Sequence, residues 1–183
     1  LEMYIISGVR GLRANKDLRH NGIPYSGRGV GVVVNDSGVD GNHSDILFPS
    51  HVKQNVLAQT NLRSFSGILP ITYQENISNS DIGGGHGTHV AGTVGGNGAM
   101  SSGKHAGVAP GADLIGYGSG AALLILDSIG GFDYALTHQF QYNIRVISNS
   151  FGSTSDIGTD FNPDDPTNIA TKDLADNGII TVF

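Results

Sequence analysis

The sequence predicts one α/β domain over residues 1–183, with a parallel sheet between two layers of helices. Short apolar runs alternate with stretches of helical spacing, which is the pattern of β-α-β units. Several of these runs, such as residues 30–34, are apolar or small at every position, as is typical of strands buried on both faces of a parallel sheet. Neither a repeat nor a linker interrupts the 183 residues, so a single three-layer αβα domain is expected.

The composition excludes several classes of partner. The net charge is −6 and the ten Lys and Arg residues are scattered, so no surface for nucleic acid is expected. The apolar runs are far shorter than the roughly 20 residues that cross a bilayer, so no membrane partner is expected. The first residues show no basic segment followed by an apolar one, so no signal peptide is expected. Cysteine is absent, which excludes disulfides and thiolate metal sites.

The first strong strand lies in the segment GRGVGVVVNDSG, which begins at Gly27. Its apolar run leads directly into a polar turn, so the strand is predicted to end at Asn35 and Asp36. Residues 52–80 are polar, rich in Ser, Asn and Gln, and weakly periodic. They are predicted to form irregular surface structure that holds one strand or none and carries little function.

The second half alternates between helices and strands. The segment GGGHGTHVAGTVGGNG predicts a buried helix that opens on a glycine-rich loop. ADLIGYG then predicts a strand, LLILDSIGGFDYALTHQF a helix, and IRVISNSFG the next buried strand. NIATKDLADNG predicts a helix with Gly178 as its C-cap, and IITVF predicts a strand that reaches Phe183. Ligand sites in such a fold lie beyond the carboxyl ends of the strands.

Asp36 is the first candidate site residue. It follows a buried strand directly, where an α/β fold presents side chains to a cleft, and a carboxylate there can orient a histidine. The alternative is that Asp36-Ser37-Gly38 is an ordinary turn that an Asp side chain initiates.

His86 is the second candidate, at the start of a predicted helix. The positive end of a helix dipole disfavours further positive charge, and a neutral imidazole is what a general base must be. Two alternatives stay open, a structural histidine and a metal pair with His89, three residues further on. Zinc usually takes a third protein ligand, however, and the helix offers no Glu.

Four segments, read in order, carry a family resemblance: VVVNDSGVDGNHSDI, GHGTHVAGTV, GVAPGADLIGYGSG and VISNSFGS. Together they resemble the subtilase family of serine peptidases, from Gly27 to Phe183. The resemblance implies a subtilisin-like fold, a peptidase of the Ser-His-Asp type, a polypeptide substrate and secretion from the cell. The order of Asp before His also matches subtilisin and differs from that of chymotrypsin-like enzymes.

The resemblance implies roles for three residues of the first two segments. Asp36 would hydrogen-bond the histidine, fix its tautomer and stabilise the imidazolium. His86 would be the general base and then the general acid. His89 would pack within the helix and take no part in catalysis.

Two further segments resemble the strands that hold the substrate of a subtilase by main-chain hydrogen bonds. Glycines suit such edges because nothing projects toward the substrate, and an aromatic ring can line an apolar subsite. The alternative is an ordinary turn and a strand end. The candidate substrate-binding residues are Gly118, Ser119 and Gly120 on one edge, with Ser150, Phe151 and Gly152 on the other.

The sequence departs from the family in one respect. No Gly-Thr-Ser segment for the nucleophile occurs, and no Ala-Ala-Gly-Asn segment for the oxyanion hole. Every earlier family motif is present, so truncation at Phe183 explains the absence better than decay. We therefore expect the N-terminal portion of a catalytic domain, incomplete at its C-terminus and inactive without the missing part.

No cofactor is expected for the chemistry, but a structural calcium ion is conceivable. Carboxylate oxygens are the ligands that calcium prefers, although acidic loops are more often merely solvated. The candidate ligands are Asp45, Asp156, Asp160, Asp164 and Asp165.

Two other functional classes remain as alternatives. A non-catalytic fragment or pseudoenzyme would use the cleft to bind peptides. A dinucleotide-binding domain is suggested by Gly27, Gly29 and Gly31, but those glycines precede the strand, whereas a dinucleotide fingerprint follows it.

Overall fold

The computed structural model describes residues 19–59, 72–119, 125–152 and 160–183. The strands are β1 (Arg19–His20), β2 (Ile23–Pro24), β3 (Gly31–Asp36), β4 (Val52–Ala58), β5 (Tyr73–Gln74), β6 (Asp113–Gly118), β7 (Ile144–Ser148) and β8 (Ile180–Val182). The α-helices are α1 (His86–Gly95), α2 (Ile125–Thr137), α3 (Gln139–Tyr142) and α4 (Pro166–Asp176). Within the described ranges, no helix has the length and apolar character needed to cross a bilayer.

A six-stranded sheet forms the middle layer, with the strand order β5-β4-β6-β3-β7-β8. All neighbouring strands in it run parallel except β4 and β5, which are antiparallel. β1 and β2 form a separate antiparallel pair. The predicted parallel sheet is therefore confirmed, and β3 lies inside it between β6 and β7.

Helices cover both faces of the sheet, and β3 shows how the sequence produces this arrangement. Successive side chains of a strand point to opposite faces. Val33 packs in a core with residues of α2 and α4, whereas Val32 and Val34 pack in a second core with Ala91 of α1. The three-layer αβα architecture that the sequence predicts is thus confirmed.

The end of α4 follows the predicted stop signal. The C-cap is Asn177 and not the predicted Gly178, which follows it with a φ of 76°, a conformation that favours glycine. The N–H of Ile179 donates to the carbonyl of Leu174 at 2.9 Å, and that of Gly178 donates to Ala175 at 3.0 Å. These are the two hydrogen bonds of a Schellman motif, which turns the chain from α4 into β8.

Residues 52–80 are more ordered and more central than predicted. β4 is an inner strand that pairs with β6 on one side and β5 on the other. Its polar residues Gln54 and Asn55 are buried and hydrogen-bonded, which is why the segment lacks the apolar signature of a buried strand. The expectation of irregular surface structure is wrong here, while residues 60–71 lie outside the described ranges.

The parallel strands bring three chain segments to one edge of the sheet. β3 ends at Asp36, β6 at Gly118 and β7 at Ser148, all in parallel pairs. Their carboxyl ends therefore lie side by side, where α/β folds bind ligands.

Candidate active site

Asp36 is completely buried at the carboxyl end of β3. The N–H of Ser37 donates to Asp36 Oδ1 at 2.7 Å. The N–H and the hydroxyl of Ser119 donate to the Asp36 carbonyl at 2.9 and 3.0 Å. Oδ2 is buried and has no hydrogen-bond partner among the described residues. Contacts to both its main chain and its side chain thus fix the orientation of Asp36.

His86 is the first residue of α1, and the structure brings it to Asp36. Its Nδ1 lies 2.7 Å from Asp36 Oδ1, across fifty residues of sequence. An ionised carboxylate can only accept a hydrogen bond, so Nδ1 carries a proton, and in the neutral ring the lone pair is on Nε2. The side chain of His86 is 60% exposed. The pair therefore has the geometry of a base held in one tautomer by a buried carboxylate.

Glycines allow α1 to approach β3 so closely. A Cβ added to Gly87 would lie 2.2 Å from the carbonyl oxygen of Gly38 and 3.0 Å from the Cβ of Asp36. Gly38 has a φ of 128°, and a Cβ there would lie 2.1 Å from the carbonyl oxygen of Ser80. A side chain at Gly87 would push α1 away from Asp36, and one at Gly38 would collide with the backbone at Ser80.

Asp81 belongs to this site, and the sequence-based prediction missed it. Its carboxylate accepts hydrogen bonds from Ser37, which follows β3, and from Gly85 and Thr88 at the start of α1. Burial raises the pKa of the Asp81 carboxyl, but these hydrogen bonds together outweigh burial and hold the pKa below its ordinary value. The sequence does offer one signal, an acidic residue shortly before a helix. Three glycines lie between Asp81 and the helix, however, so the sequence does not show that the carboxylate reaches the first turn.

The first predicted substrate edge is only partly described. Gly118 lies inside the sheet, paired with Asp36 of β3 on one side and Leu57 of β4 on the other. Ser119 is buried and bonded to Asp36, so its side chain supports the aspartate. Gly120 lies outside the described residues. Gly118 and the Ser119 side chain are thus both engaged within the fold, and the substrate-binding role of this segment stays a prediction.

The second predicted edge follows β7 directly. Ser150 and Gly152 are exposed, and a Cβ added to Gly152 would meet no atom within 4 Å. The Phe151 ring packs edge-to-face against Phe183, with centroids 6.2 Å apart. Open space beside an anchored aromatic ring agrees with a peptide subsite, although that role also stays a prediction.

His89 does not take the packing position expected of it. Its side chain is exposed. The face of α1 that packs on the sheet instead carries Gly87, Ala91 and Gly95, all buried. Residues three and four apart share a helix face, so a helix seated on these small residues turns His89 toward solvent.

The acidic residues considered as calcium ligands are scattered. Asp45 Oδ1 accepts from the N–H of Met100, and Asp165 caps α4. Asp160 and Asp164 are exposed, and Asp156 lies outside the described ranges. In the part of the chain that the structure describes, no group of three or more His, Asp or Glu side chains is arranged to hold a metal ion.

The chain is similar to known proteins in both sequence and fold. The sequence model of the subtilase family matches residues 27–183. The chain is 32% identical over 163 residues to the major intracellular serine protease of Bacillus subtilis (strain 168), covering 85% of this chain and 42% of that protein. It is 30% identical over 178 residues to the serine protease AprX of the same organism, covering 90% of this chain and 34% of that protein.

A third curated relative is the minor extracellular protease Vpr of the same organism, which is 28% identical over 86% of this chain and 18% of its own length. Solved structures of proteases are similar as well. An S41 psychrophilic protease superposes with a TM-score of 0.63 at 29% identity, and sphericase with 0.65 at 27%. Each match covers 95% of this chain and 50% of the other.

The chain thus spans less than half the length of each of these three curated relatives. The family model nevertheless matches most of it, including the Asp36 and His86 segments. The chain belongs to the subtilase family of serine proteases.

Proposed function

We propose that this chain is part of a serine endopeptidase in which Asp36 and His86 form the acid-base pair. The 2.7 Å contact between His86 Nδ1 and Asp36 Oδ1 carries the proposal. A buried carboxylate that holds an exposed imidazole in one tautomer is the arrangement that a hydroxyl nucleophile requires.

The chemistry assigns one proton path to the pair. His86 Nε2 takes the proton of the attacking serine hydroxyl while that oxygen bonds to the substrate carbonyl carbon. The same proton then passes to the leaving amine as the peptide bond breaks. Asp36 stays ionised throughout and stabilises the imidazolium between the two steps.

The two serines that contact Asp36, Ser37 and Ser119, are both engaged in other hydrogen bonds and are not the nucleophile. The Ser37 hydroxyl donates to Asp81, and Ser119 is buried against the Asp36 carbonyl. Residues 1–183 contain no Gly-Thr-Ser segment, while the curated relatives are more than twice as long as the matched part. We therefore assign the nucleophile and the oxyanion donor to residues outside 1–183, and residues 1–183 alone should hydrolyse no peptide bond.

The substrate would be an extended polypeptide beside Ser150, Phe151 and Gly152. The exposed glycine leaves room for the substrate backbone, and the Phe151 ring offers an apolar wall. Extracellular location stays a prediction, because the named relatives include one intracellular and one extracellular protease.

The test compares two histidines of the same helix in the full-length protein. Substituting His86→Ala should lower kcat/KM for a casein-derived peptide by several orders of magnitude and abolish labelling by a fluorophosphonate, because the serine loses its base. His89→Ala is the matched control, since His89 is exposed one turn further along α1, and it should react like wild type. Equal labelling of wild type and His86→Ala would contradict the assignment of the base.

A further inference from the structure

The Asp81 carboxylate lies in the loop before α1 and accepts hydrogen bonds on both oxygens. Oδ1 accepts from the Ser37 hydroxyl at 3.0 Å and from the Gly85 N–H at 3.2 Å. Oδ2 accepts from the Thr88 N–H at 3.1 Å and from the Thr88 hydroxyl. One side chain therefore holds both the residue before α1 and the third residue of that helix.

Ser37 connects this carboxylate to the other one. Its N–H donates to Asp36 Oδ1 at 2.7 Å, and its hydroxyl donates to Asp81. The same hydroxyl oxygen accepts from the N–H of Gly87 at 2.9 Å. Asp36, Asp81 and the first turn of α1 are thus joined through a single serine.

Thr88 makes a second connection, to the loop that follows β3. Its hydroxyl oxygen accepts from the N–H of Asp40 at 2.9 Å, so the hydroxyl proton is directed at Asp81. Asp81 itself is anchored, because its N–H donates to Asn79 Oδ1 at 2.8 Å. Thr88 thus links the first turn of α1 to the loop after β3 and to the loop before the helix.

His86 lies between the two residues whose N–H groups are held by these contacts. The N–H groups before and after it, those of Gly85 and Gly87, are held by Asp81 and Ser37. Its Nδ1 meets Asp36 Oδ1 at 2.7 Å only while the first turn keeps this position. A reacting group displaced by about 1 Å can lose roughly 100-fold in rate, so the tether matters to catalysis.

We infer that Asp81 is a positioning residue for His86, which it holds against Asp36 through Ser37 and the first turn of α1. The inference rests on the proposed function and deepens it. Asp81 also adds negative charge at the start of α1, where its carboxylate accepts from the N–H groups of Gly85 and Thr88.

The first test reads the tautomer of His86 by the ring ¹⁵N chemical shifts. Above about pH 8, where an ordinary histidine is neutral, the wild-type ring should carry its proton on Nδ1. Asp81→Asn keeps the shape but places an amide NH₂ against hydrogen-bond donors, and it should shift the ring toward a mixture with the Nε2-protonated form. Asp165→Ala, which removes the cap of a different helix, should leave the ¹⁵N shifts unchanged.

The second test uses peptide hydrolysis by the full-length protein. Asp81→Asn should lower kcat by about 10- to 100-fold, because the base is displaced. KM should change by less than about twofold, because the hydrogen bonds of the Asp81 carboxylate go to Ser37 and the start of α1 and not to the predicted substrate edge at Phe151. Asp165→Ala should leave both constants at the wild-type value.

The outcomes distinguish failure of the positioning role of Asp81 from failure of the proposed peptidase function. If Asp81→Asn lowers the melting temperature but leaves the tautomer and kcat unchanged, Asp81 is only a helix cap and the inference is overturned. Should that variant fail to fold, Ser37→Ala breaks one connection and must show the same tautomer shift. If the wild-type protein hydrolyses nothing, the proposed function fails, while the ¹⁵N measurement still decides whether Asp81 positions His86.

Discussion

Helices α1 and α4 begin in opposite ways. α4 starts with its own cap, since Asp165 Oδ1 accepts from the N–H of Thr167 at 2.8 Å and of Asn168 at 3.2 Å, and Pro166 follows it. α1 starts after Gly85, which has a φ of 82° and no side chain to offer. Its cap comes from Ser37 and Asp81 instead.

The two caps differ in what they affect: one stabilises its helix, and the other also positions a residue of the candidate site. The cap of Asp165 is local and stabilises the helix that follows it. The cap of α1 comes from the loop after β3 and from the loop before α1, so it also determines where His86 lies relative to Asp36. The helix that presents His86 is therefore tied to the fold around it, whereas α4 is capped by its neighbour in sequence.

The largest effect should come from adding one carbon to the face of α1 that meets β3. Gly87→Ala puts a Cβ 2.2 Å from a backbone oxygen, and we expect the free energy of unfolding to fall by about 3 kcal/mol, with loss of the Asp36–His86 contact. Urea denaturation measures the first effect, and the ring ¹⁵N shifts of His86 measure the second.

Gly92→Ala is the matched control on the same helix. A Cβ there meets nothing within 4 Å, so the substitution should raise the free energy of unfolding by about 0.5–1 kcal/mol through helix propensity alone. Equal effects at both positions would show that close approach to β3 is not what requires the glycine.

A middle-sized effect should follow removal of the local cap. Asp165→Ala should cost about 1 kcal/mol, because the N–H groups of Thr167 and Asn168 lose their acceptor. Asp164→Ala removes the same charge from the preceding, exposed residue and should cost much less. Thermal unfolding followed by circular dichroism distinguishes the two, and a cost for Asp164→Ala equal to that for Asp165→Ala would contradict the capping role.

The smallest effect should be on the free energy of unfolding at low pH. The folded-state pKa of Asp81 lies below its ordinary value, so the unfolded chain binds the proton more tightly and stability falls as the pH drops below about 4. Asp81→Asn cannot titrate there and should show a shallower loss of stability in urea denaturation between about pH 5 and pH 2. Asp81 is only half-buried, so solvent weakens the effect, and identical slopes for both proteins would contradict it.

Local patterns account for much of what could be predicted. The apolar run before Asp36, the small-residue helix after Gly85 and the stop at Gly178 each depend on neighbours within a few residues, and each lies where it was expected. β4 was missed for the same reason, because its polar residues Gln54 and Asn55 are satisfied by partners that no local pattern reveals.

The sequence by itself thus determined the α/β class and the family, and it predicted Asp36 and His86 as an acid-base pair. Only the tertiary structure decided that Asp81 holds the first turn of α1, that Ser119 supports the Asp36 carbonyl and that His89 faces solvent. Periodicity and capping arise from contacts between near neighbours in sequence. The contact between Asp36 and His86, and the network around it, depends on how the carboxyl ends of parallel strands and the loops between them meet in space.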